Sequence, residues 1–217
     1  MDLLNIARGP ALQWALVVFV VGVVWRLAGI LLLARKPDYT EPRSTNTWGG
    51  ALRMIVSRTW SKREFLDRTA FAQTIGYVFH IGLAIVVFGF VPHILFIRSL
   101  TGLGWPGLPS GIVYVTGALT LAALAAALVR RLSNPVLRLL SNLDDYFSWL
   151  VTAAPIATGL VAVAHLGARY ETLLAVHILS VCLLLAWFPF GKLMHGVLVF
   201  VSRGTTGALL ARKGASI

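Results

Sequence analysis

The sequence predicts an all-α integral membrane protein in which five transmembrane helices form a single bundle. The composition is the first reason: 58% of the 217 residues are hydrophobic, only 12% are charged, and the mean hydropathy is +0.81. A soluble domain carries about 25% charged residues. The second reason is the presence of five apolar segments, each long enough to cross the roughly 30 Å hydrocarbon layer. The third is that the basic residues collect between these segments.

The five segments follow one another with polar or turn-forming breaks between them. The first is too long for a cleaved signal peptide and is not preceded by a basic stretch, so we expect it to remain as a transmembrane helix. The connections are a basic loop, a Gly/Pro turn (TGLGWPGLPS), a short basic stretch and a tight link. The predicted helices cover residues 11–34, 69–97, 111–131, 145–167 and 171–201, the basic loop covers 35–68, and one membrane domain covers 1–217.

The distribution of charge predicts the topology. Of the 19 Lys and Arg residues, 14 lie in the loops after the first and third segments and in the C-terminal tail. Because positive charge stays on the cytoplasmic side, the N-terminus is expected outside and the C-terminus in the cytoplasm. Clustering by loop also accounts for the net charge of +11 without a nucleic-acid partner. The expected surroundings are membrane lipid.

The chain has one cysteine, Cys182. A single thiol excludes an internal disulfide and a cysteine-ligated iron–sulfur cluster within this chain, so any such cluster must lie on a partner. Secondary transporters are commonly built from two comparable halves, which five helices do not supply. A small-solute transporter is therefore the less favoured alternative.

Four of the five histidines lie on two segments, with one near each membrane face. His80 and His93 lie on the second segment, and His177 and His195 on the fifth, which runs in the opposite direction. Depth therefore pairs His80 with His195, and His93 with His177. Eighteen residues are five helical turns, which places the two histidines of the fifth segment on one face. Thirteen residues are about 220°, so the pair on the second segment needs a kink, which Pro92 could supply.

Paired neutral imidazoles on facing helices are what a six-coordinate b-type haem requires. Two such haems at two depths would conduct electrons across the bilayer. A zinc site is the competing interpretation, but two histidines at each level leave zinc short of its usual ligands. A proton relay is less favoured, because no intramembrane carboxylate accompanies these histidines. A structural role, in which each histidine only forms hydrogen bonds between helices, also stays open.

The residues around these histidines resemble one family. VH at 176–177, continued by FPFGKLMH at 188–195, resembles the last helix of the gamma subunit of respiratory nitrate reductases, a dihaem membrane cytochrome b. VFHIG at 78–82 resembles the inner ligand region of its second helix, and RRLSNPVLRLLSNLDDY at 130–146 resembles its basic loop and acidic helix start. The similarity extends over all five segments.

The resemblance implies that His80 and His195 bind an inner haem and that His177 binds an outer one. The family has its fourth ligand ten residues after the first, where this chain has Phe90. Either His93 takes that role, or the outer haem is altered or absent. We interpret the chain as a divergent member of the family.

The resemblance also implies partners and a location. Such cytochromes lie in the prokaryotic cytoplasmic membrane and exchange electrons between quinol or quinone and a cytoplasmic iron–sulfur subunit. A further catalytic subunit completes the complex, either a molybdenum enzyme or a heterodisulfide-reductase-like protein. On this interpretation, the chain is the electron-transfer subunit of a quinol-linked oxidoreductase complex. The alternative function is a haem-free membrane anchor or assembly protein.

Three further residues have a bland and a functional interpretation. Arg26 either extends to the inner interface or pairs with a haem propionate. Arg98 either anchors the outer interface or contacts an outer propionate or a quinone headgroup. His165 either belongs to a solvated cluster at the outer surface or assists quinol deprotonation.

Overall fold

A computed structural model describes residues 2–34, 38–61 and 63–215, and these residues form helices without any β-strand. A π-helical turn at Ala7–Ala11 interrupts the first helix, and 3₁₀ turns at Arg63–Phe65 and Lys192–Met194 precede two others. The helices are α1 (Leu3–Leu31), α2 (Thr47–Ser57), α3 (Leu66–Gly89), α4 (Val91–Thr101), α5 (Ser110–Ser133), α6 (Pro135–Leu139), α7 (Leu143–Val163), α8 (Tyr170–Trp187) and α9 (His195–Arg212).

The protein is a multi-pass membrane protein. Within the described ranges, six helices are long and apolar enough to cross a bilayer: α1, α3, α5, α7, α8 and α9. Large apolar side chains such as Trp14, Val21 and Trp25 are exposed on the outside of the protein, where lipid can cover them. The third and fourth predicted segments agree with α5 and α7 to within a few residues, whereas the second and fifth predicted segments are each divided into two helices.

The predicted fifth segment, 171–201, is two helices rather than one. The first, α8, ends at Trp187, and α9 begins at His195. The cause is the sequence Phe188–Gly191, in which Pro189 cannot continue a helical hydrogen-bond ladder. Pro189 is fully buried against Gly22 of α1, where an added Cβ would lie 2.5 Å from the proline ring. The two histidines of this segment therefore belong to different helices, and the continuous-helix argument does not apply to them.

The predicted second segment, 69–97, is divided at Phe90, whose backbone is extended (φ −82°, ψ 123°). Pro92 lacks an N–H, so the carbonyl of Phe88 loses its helical donor. The loop that follows α4 supplies replacements. The indole N–H of Trp105 donates to the carbonyl of Phe88 at 2.6 Å, and the amide of Leu108 donates to the carbonyl of Gly89 at 2.8 Å.

The predicted basic loop, 35–68, contains a helix of its own. Asn46 caps α2 by accepting a hydrogen bond from the amide of Gly49. The helix packs against α9 at Gly50 and Gly207, where an added Cβ on either residue would collide with the other helix. Arg35, Lys36 and Lys62 of the predicted loop lie outside the described residues.

The membrane helices pack in the order α1, α8, α7, α5, α3, which is an open arc. Its centre is a cluster of Leu124, Ala153 and Ile156 between α5 and α7. The two ends of the arc are α1 and α3, and over the parts of the chain that the structure describes no extensive packing joins α3 to α1 or to α8. The region between α3–α4 and α8–α9, which are not extensively packed against each other, is called here the slot.

Candidate functional site between α3–α4 and α8–α9

Two pairs of histidines face each other across the slot. The ring centroids of His80 and His195 are 6.1 Å apart, with their planes at 87°. The ring centroids of His93 and His177 are also 6.1 Å apart, with their planes at 19°. The pairing expected from depth is the pairing that the structure brings together, although the helices that carry it are broken in two places.

In all four histidines, Nδ1 forms a hydrogen bond with a backbone carbonyl. The acceptors are Gly76 for His80 (2.7 Å), Val86 for His93 (2.9 Å), Pro155 for His177 (3.0 Å) and Lys192 for His195 (2.7 Å). A carbonyl oxygen can only accept, so Nδ1 carries the proton in each ring. The lone pair is then on Nε2, as it is in a neutral histidine that is ready to bind a metal.

Helix α7 contacts His177 of the pair formed by His93 and His177. The carbonyl of Pro155 accepts from His177, and the hydroxyl of Thr158 lies 3.4 Å from the same ring nitrogen and 3.0 Å from the hydroxyl of Ser180. Gly159 allows the ring to approach, because a Cβ there would lie 3.1 Å from Cε1 of His177. The orientation of His177 is thus set by a neighbouring helix as well as by its own.

The start of α7 supports His195, of the pair formed by His80 and His195, through Lys192. The backbone N–H of Lys192 donates to a carboxylate oxygen of Asp144 at 3.2 Å, and its ammonium donates to Asp145 at 2.5 Å. Asp145, whose side chain is only 8% exposed, also pairs with Arg131 at 3.1 Å. Because the carbonyl of Lys192 accepts from His195, these two carboxylates hold the turn that orients the histidine.

Each pair could hold one metal ion, such as a haem iron, between its two imidazoles, and the ring separation of 6.1 Å is compatible with this. Nitrogens bound on opposite sides of one metal ion, each about 2 Å away, place imidazole centroids roughly 6 Å apart. Each level offers two imidazoles and, across the described residues, no group of three or more His, Cys, Asp or Glu side chains forms a cluster for another metal.

The other predicted site residues lie at the periphery. Arg26 is exposed on α1 and Arg98 is exposed near the end of α4. Among the described residues, no carboxylate lies within 4.0 Å of either guanidinium. His165 is exposed in the turn after α7 with φ at +54°, and its ring lies against Tyr170 instead of another histidine.

Comparison with known proteins gives the relationship of the chain. A protein of Nitratidesulfovibrio vulgaris (strain Hildenborough) is 32% identical to it over 209 residues, which are 92% of this chain and 89% of that protein. The chain belongs to the same family as this bacterial protein. No protein-family model matches the chain. The name of the relative states no activity, so function has to follow from the chemistry of the site.

Several supporting residues were not predicted from the sequence. The indole N–H of Trp105 donates to the carbonyl of Phe88 at the helix break that precedes His93. The signal was Pro92, which requires a replacement donor for Phe88 without revealing which residue supplies it. The contacts of Lys192 with Asp144 and Asp145 join residues far apart in the sequence, so only the fold reveals them.

Proposed function

We propose that the chain is the membrane-anchoring dihaem cytochrome b subunit of a prokaryotic respiratory oxidoreductase complex. It would transfer electrons between membrane quinol or quinone and an iron–sulfur partner on the cytoplasmic side. The proposal is carried by one observation: two pairs of histidines face each other at 6.1 Å, and every one of them has its Nδ1 bound to a carbonyl.

His80 and His195 would hold the inner haem, and His93 and His177 the outer one. The bound haems would supply one-electron redox chemistry, and the protein sets their position and potential. The chain contributes four neutral nitrogen ligands without an uncompensated charge in the apolar slot. Their carbonyl partners fix the tautomer and the ring orientation before any ligand is bound, which reduces the conformational entropy lost on binding.

A five-span topology is supported by how α9 packs. Although α9 is long enough to cross a membrane, it packs against α2 and not against the arc of membrane helices. It also contains Arg203 and ends at Arg212. We therefore propose that α1, α3–α4, α5, α7 and α8 cross the cytoplasmic membrane, with the N-terminus outside and α2 and α9 at the cytoplasmic face.

This orientation assigns each electron-transfer partner to one side of the membrane. The outer pair lies toward the side where Arg98 ends the second span, and this is where quinol oxidation would release protons. The inner pair lies beside Lys192 and the basic face that would meet the iron–sulfur subunit. Whether the further catalytic subunit is a molybdenum enzyme or resembles heterodisulfide reductase depends on that partner, and the partner potentials decide whether quinol is oxidised or quinone is reduced.

The experiment is a reduced-minus-oxidised spectrum of membranes that contain the chain, recorded before and after addition of a quinol analogue. We expect a b-type α band that grows when quinol is added. Membranes with the His80→Ala variant should keep the outer haem only. A spectrum without any b-type band would establish the alternative, a haem-free anchor or assembly protein in which the histidines are structural.

The transporter alternative is now less favoured for a different reason. Among the residues that the structure describes, six helices are long and apolar enough to span a membrane, so an odd number of spans does not argue against two equal halves. The packing does, because α9 lies apart from the arc and leaves it without a matching sixth helix. Stoichiometric haem in the purified chain would exclude that alternative.

A further inference from the structure

Helix α2 has two apolar faces. One packs against another helix of the protein, and the other is exposed. Gly50, Ala51 and Met54 are buried, and they form the face that packs on α9. On the opposite side, Trp48, Leu52 and Val56 are 82%, 62% and 67% exposed. Residues spaced by four lie on one helix face, so these three form a continuous stripe, called here the α2 stripe.

We propose that α2 lies on the surface of the cytoplasmic leaflet, with the α2 stripe inserted among anionic phospholipids. The leaflet follows from the proposed topology, but the contact with lipid does not depend on haem. An amphipathic helix with an aromatic and aliphatic face and flanking arginines is the type of helix that binds in the plane of a membrane interface.

The end of α2 is attached at the height of the membrane boundary. The ring of Trp60 lies 5.1 Å from the ring of Tyr77, and the hydroxyl of Tyr77 donates to the carbonyl of Thr59. Tyr77 lies where the polar turns of α3, with Asp67 and Gln73, give way to its apolar turns. Trp and Tyr are enriched at this depth, where one end of the ring is in lipid and the other is hydrated.

The charge around α2 has one sign. Between Thr47 and Arg63 the sequence contains four basic residues and no Asp or Glu. Arg53, Arg58 and Arg63 are exposed in the structure. The cytoplasmic leaflet is negatively charged, and basic side chains next to it are attracted within a Debye length. A protein partner could also cover the α2 stripe, but the boundary position of Trp60 and Tyr77 favours lipid.

The test uses spin labels on the full chain, reconstituted in vesicles of phosphatidylcholine and phosphatidylglycerol. In a Cys182→Ala background, a single cysteine is introduced by Leu52→Cys or Val56→Cys in the α2 stripe. Ser57→Cys is the matched control, since Ser57 is exposed on the same helix at about 140° from Leu52. Power saturation then compares the accessibility of each label to oxygen with its accessibility to a nickel chelate in water.

We expect the oxygen-to-nickel ratio to be severalfold higher at Leu52→Cys and Val56→Cys than at Ser57→Cys. The difference should shrink in vesicles of phosphatidylcholine alone and in the Arg53→Gln/Arg58→Gln variant. Equal nickel accessibility at all three positions would overturn the proposal and leave the α2 stripe for a protein partner. If the difference in the oxygen-to-nickel ratio were the same with and without phosphatidylglycerol, the proposed role of anionic lipid would be wrong. The haem spectrum of the same samples reports on the proposed function independently.

Discussion

His93 faces His177 with 6.1 Å between the ring centroids, although Phe90 occupies the position ten residues after His80. On an ideal continuous helix, His93 would point about 220° away from His80. The break at Phe90 removes this constraint, and the ring of His93 then reaches the carbonyl of Val86. In the proposed function, His93 would therefore be the second histidine that holds the outer haem.

The first prediction concerns this displaced residue. Replacing His93 with Ala should lower the haem content from about two to about one per chain, because the outer iron would lose one of its two axial nitrogens. His177→Ala should have the same effect. Pyridine haemochrome assays of the purified variants measure it. His165→Ala, which removes the exposed histidine beside Tyr170, is the control and should keep both haems; equal content in all variants would refute the outer pair.

The second prediction concerns the indole that closes the helix break. Trp105→Phe removes the donor to the carbonyl of Phe88, and an unsatisfied carbonyl costs about 1–3 kcal/mol. We expect a lower thermal midpoint and a shifted potential for the outer haem, with the inner potential unchanged. Redox titration followed at the α band separates the two. Trp14→Phe, on the exposed face of α1, is the matched control, and an effect of equal size there would assign the loss to the missing indole itself.

The third prediction concerns the carboxylate at the start of α7. Asp145→Asn removes the carboxylate that accepts from Lys192 and pairs with Arg131, and we expect a loss of about 1–3 kcal/mol of folding free energy together with weaker binding of the inner haem. Thermal denaturation followed at the inner haem absorbance measures both effects. Glu171→Gln breaks an exposed ion pair with Arg169 and should change little. An inner haem unaffected by Asp145→Asn would show that the Lys192 turn does not need this anchor.

The fourth prediction is that the contact between residues 38–43 and the end of α9, called here the clamp, becomes less stable at low pH. Hydrogen bonds from the hydroxyl and the amide of Thr40 hold the pKa of Asp38 below its ordinary value, and Lys213 and Arg212 add to this effect. A carboxylate with a depressed pKa stabilises the folded state above its unfolded pKa, and this contribution is lost as the pH falls through the folded value.

The N–H of Arg43 donates to the carbonyl of Arg212. The rate of amide hydrogen exchange around Arg43, relative to the intrinsic rate at each pH, should therefore rise as the pH falls below about 4. Asp38→Asn should remove the pH dependence and show faster exchange already at neutral pH. An unchanged protection profile in both proteins would mean that Asp38 does not hold the clamp.

Much of the architecture could be predicted because apolar length and loop charge are properties of short stretches of sequence. The pairing of the four histidines also followed, since depth depends mainly on residue count along each span. The breaks at Phe90 and Pro189 were harder to place, because a proline marks a disruption without fixing how the chain continues. Contacts such as Trp105 with Phe88 or Lys192 with Asp145 join residues far apart in the sequence, so only packing could reveal them.

The prediction of a single helix over 171–201 was wrong for the same reason. Its periodicity is that of a helix on both sides of Phe188–Gly191, but Pro189 is buried against Gly22, and this contact stabilises the interruption. The prediction that His177 and His195 lie at two different depths did not require one continuous helix over this segment.

The most direct measurement is the haem stoichiometry of the chain purified in mild detergent. We expect a pyridine haemochrome of b type with about two haems per chain, about one in His80→Ala or His93→Ala, and none in the double variant, because each pair of histidines holds one iron. A purified, folded chain that contains no haem b, or a double variant that retains its full content, would contradict the assignment of the two histidine pairs as axial ligands.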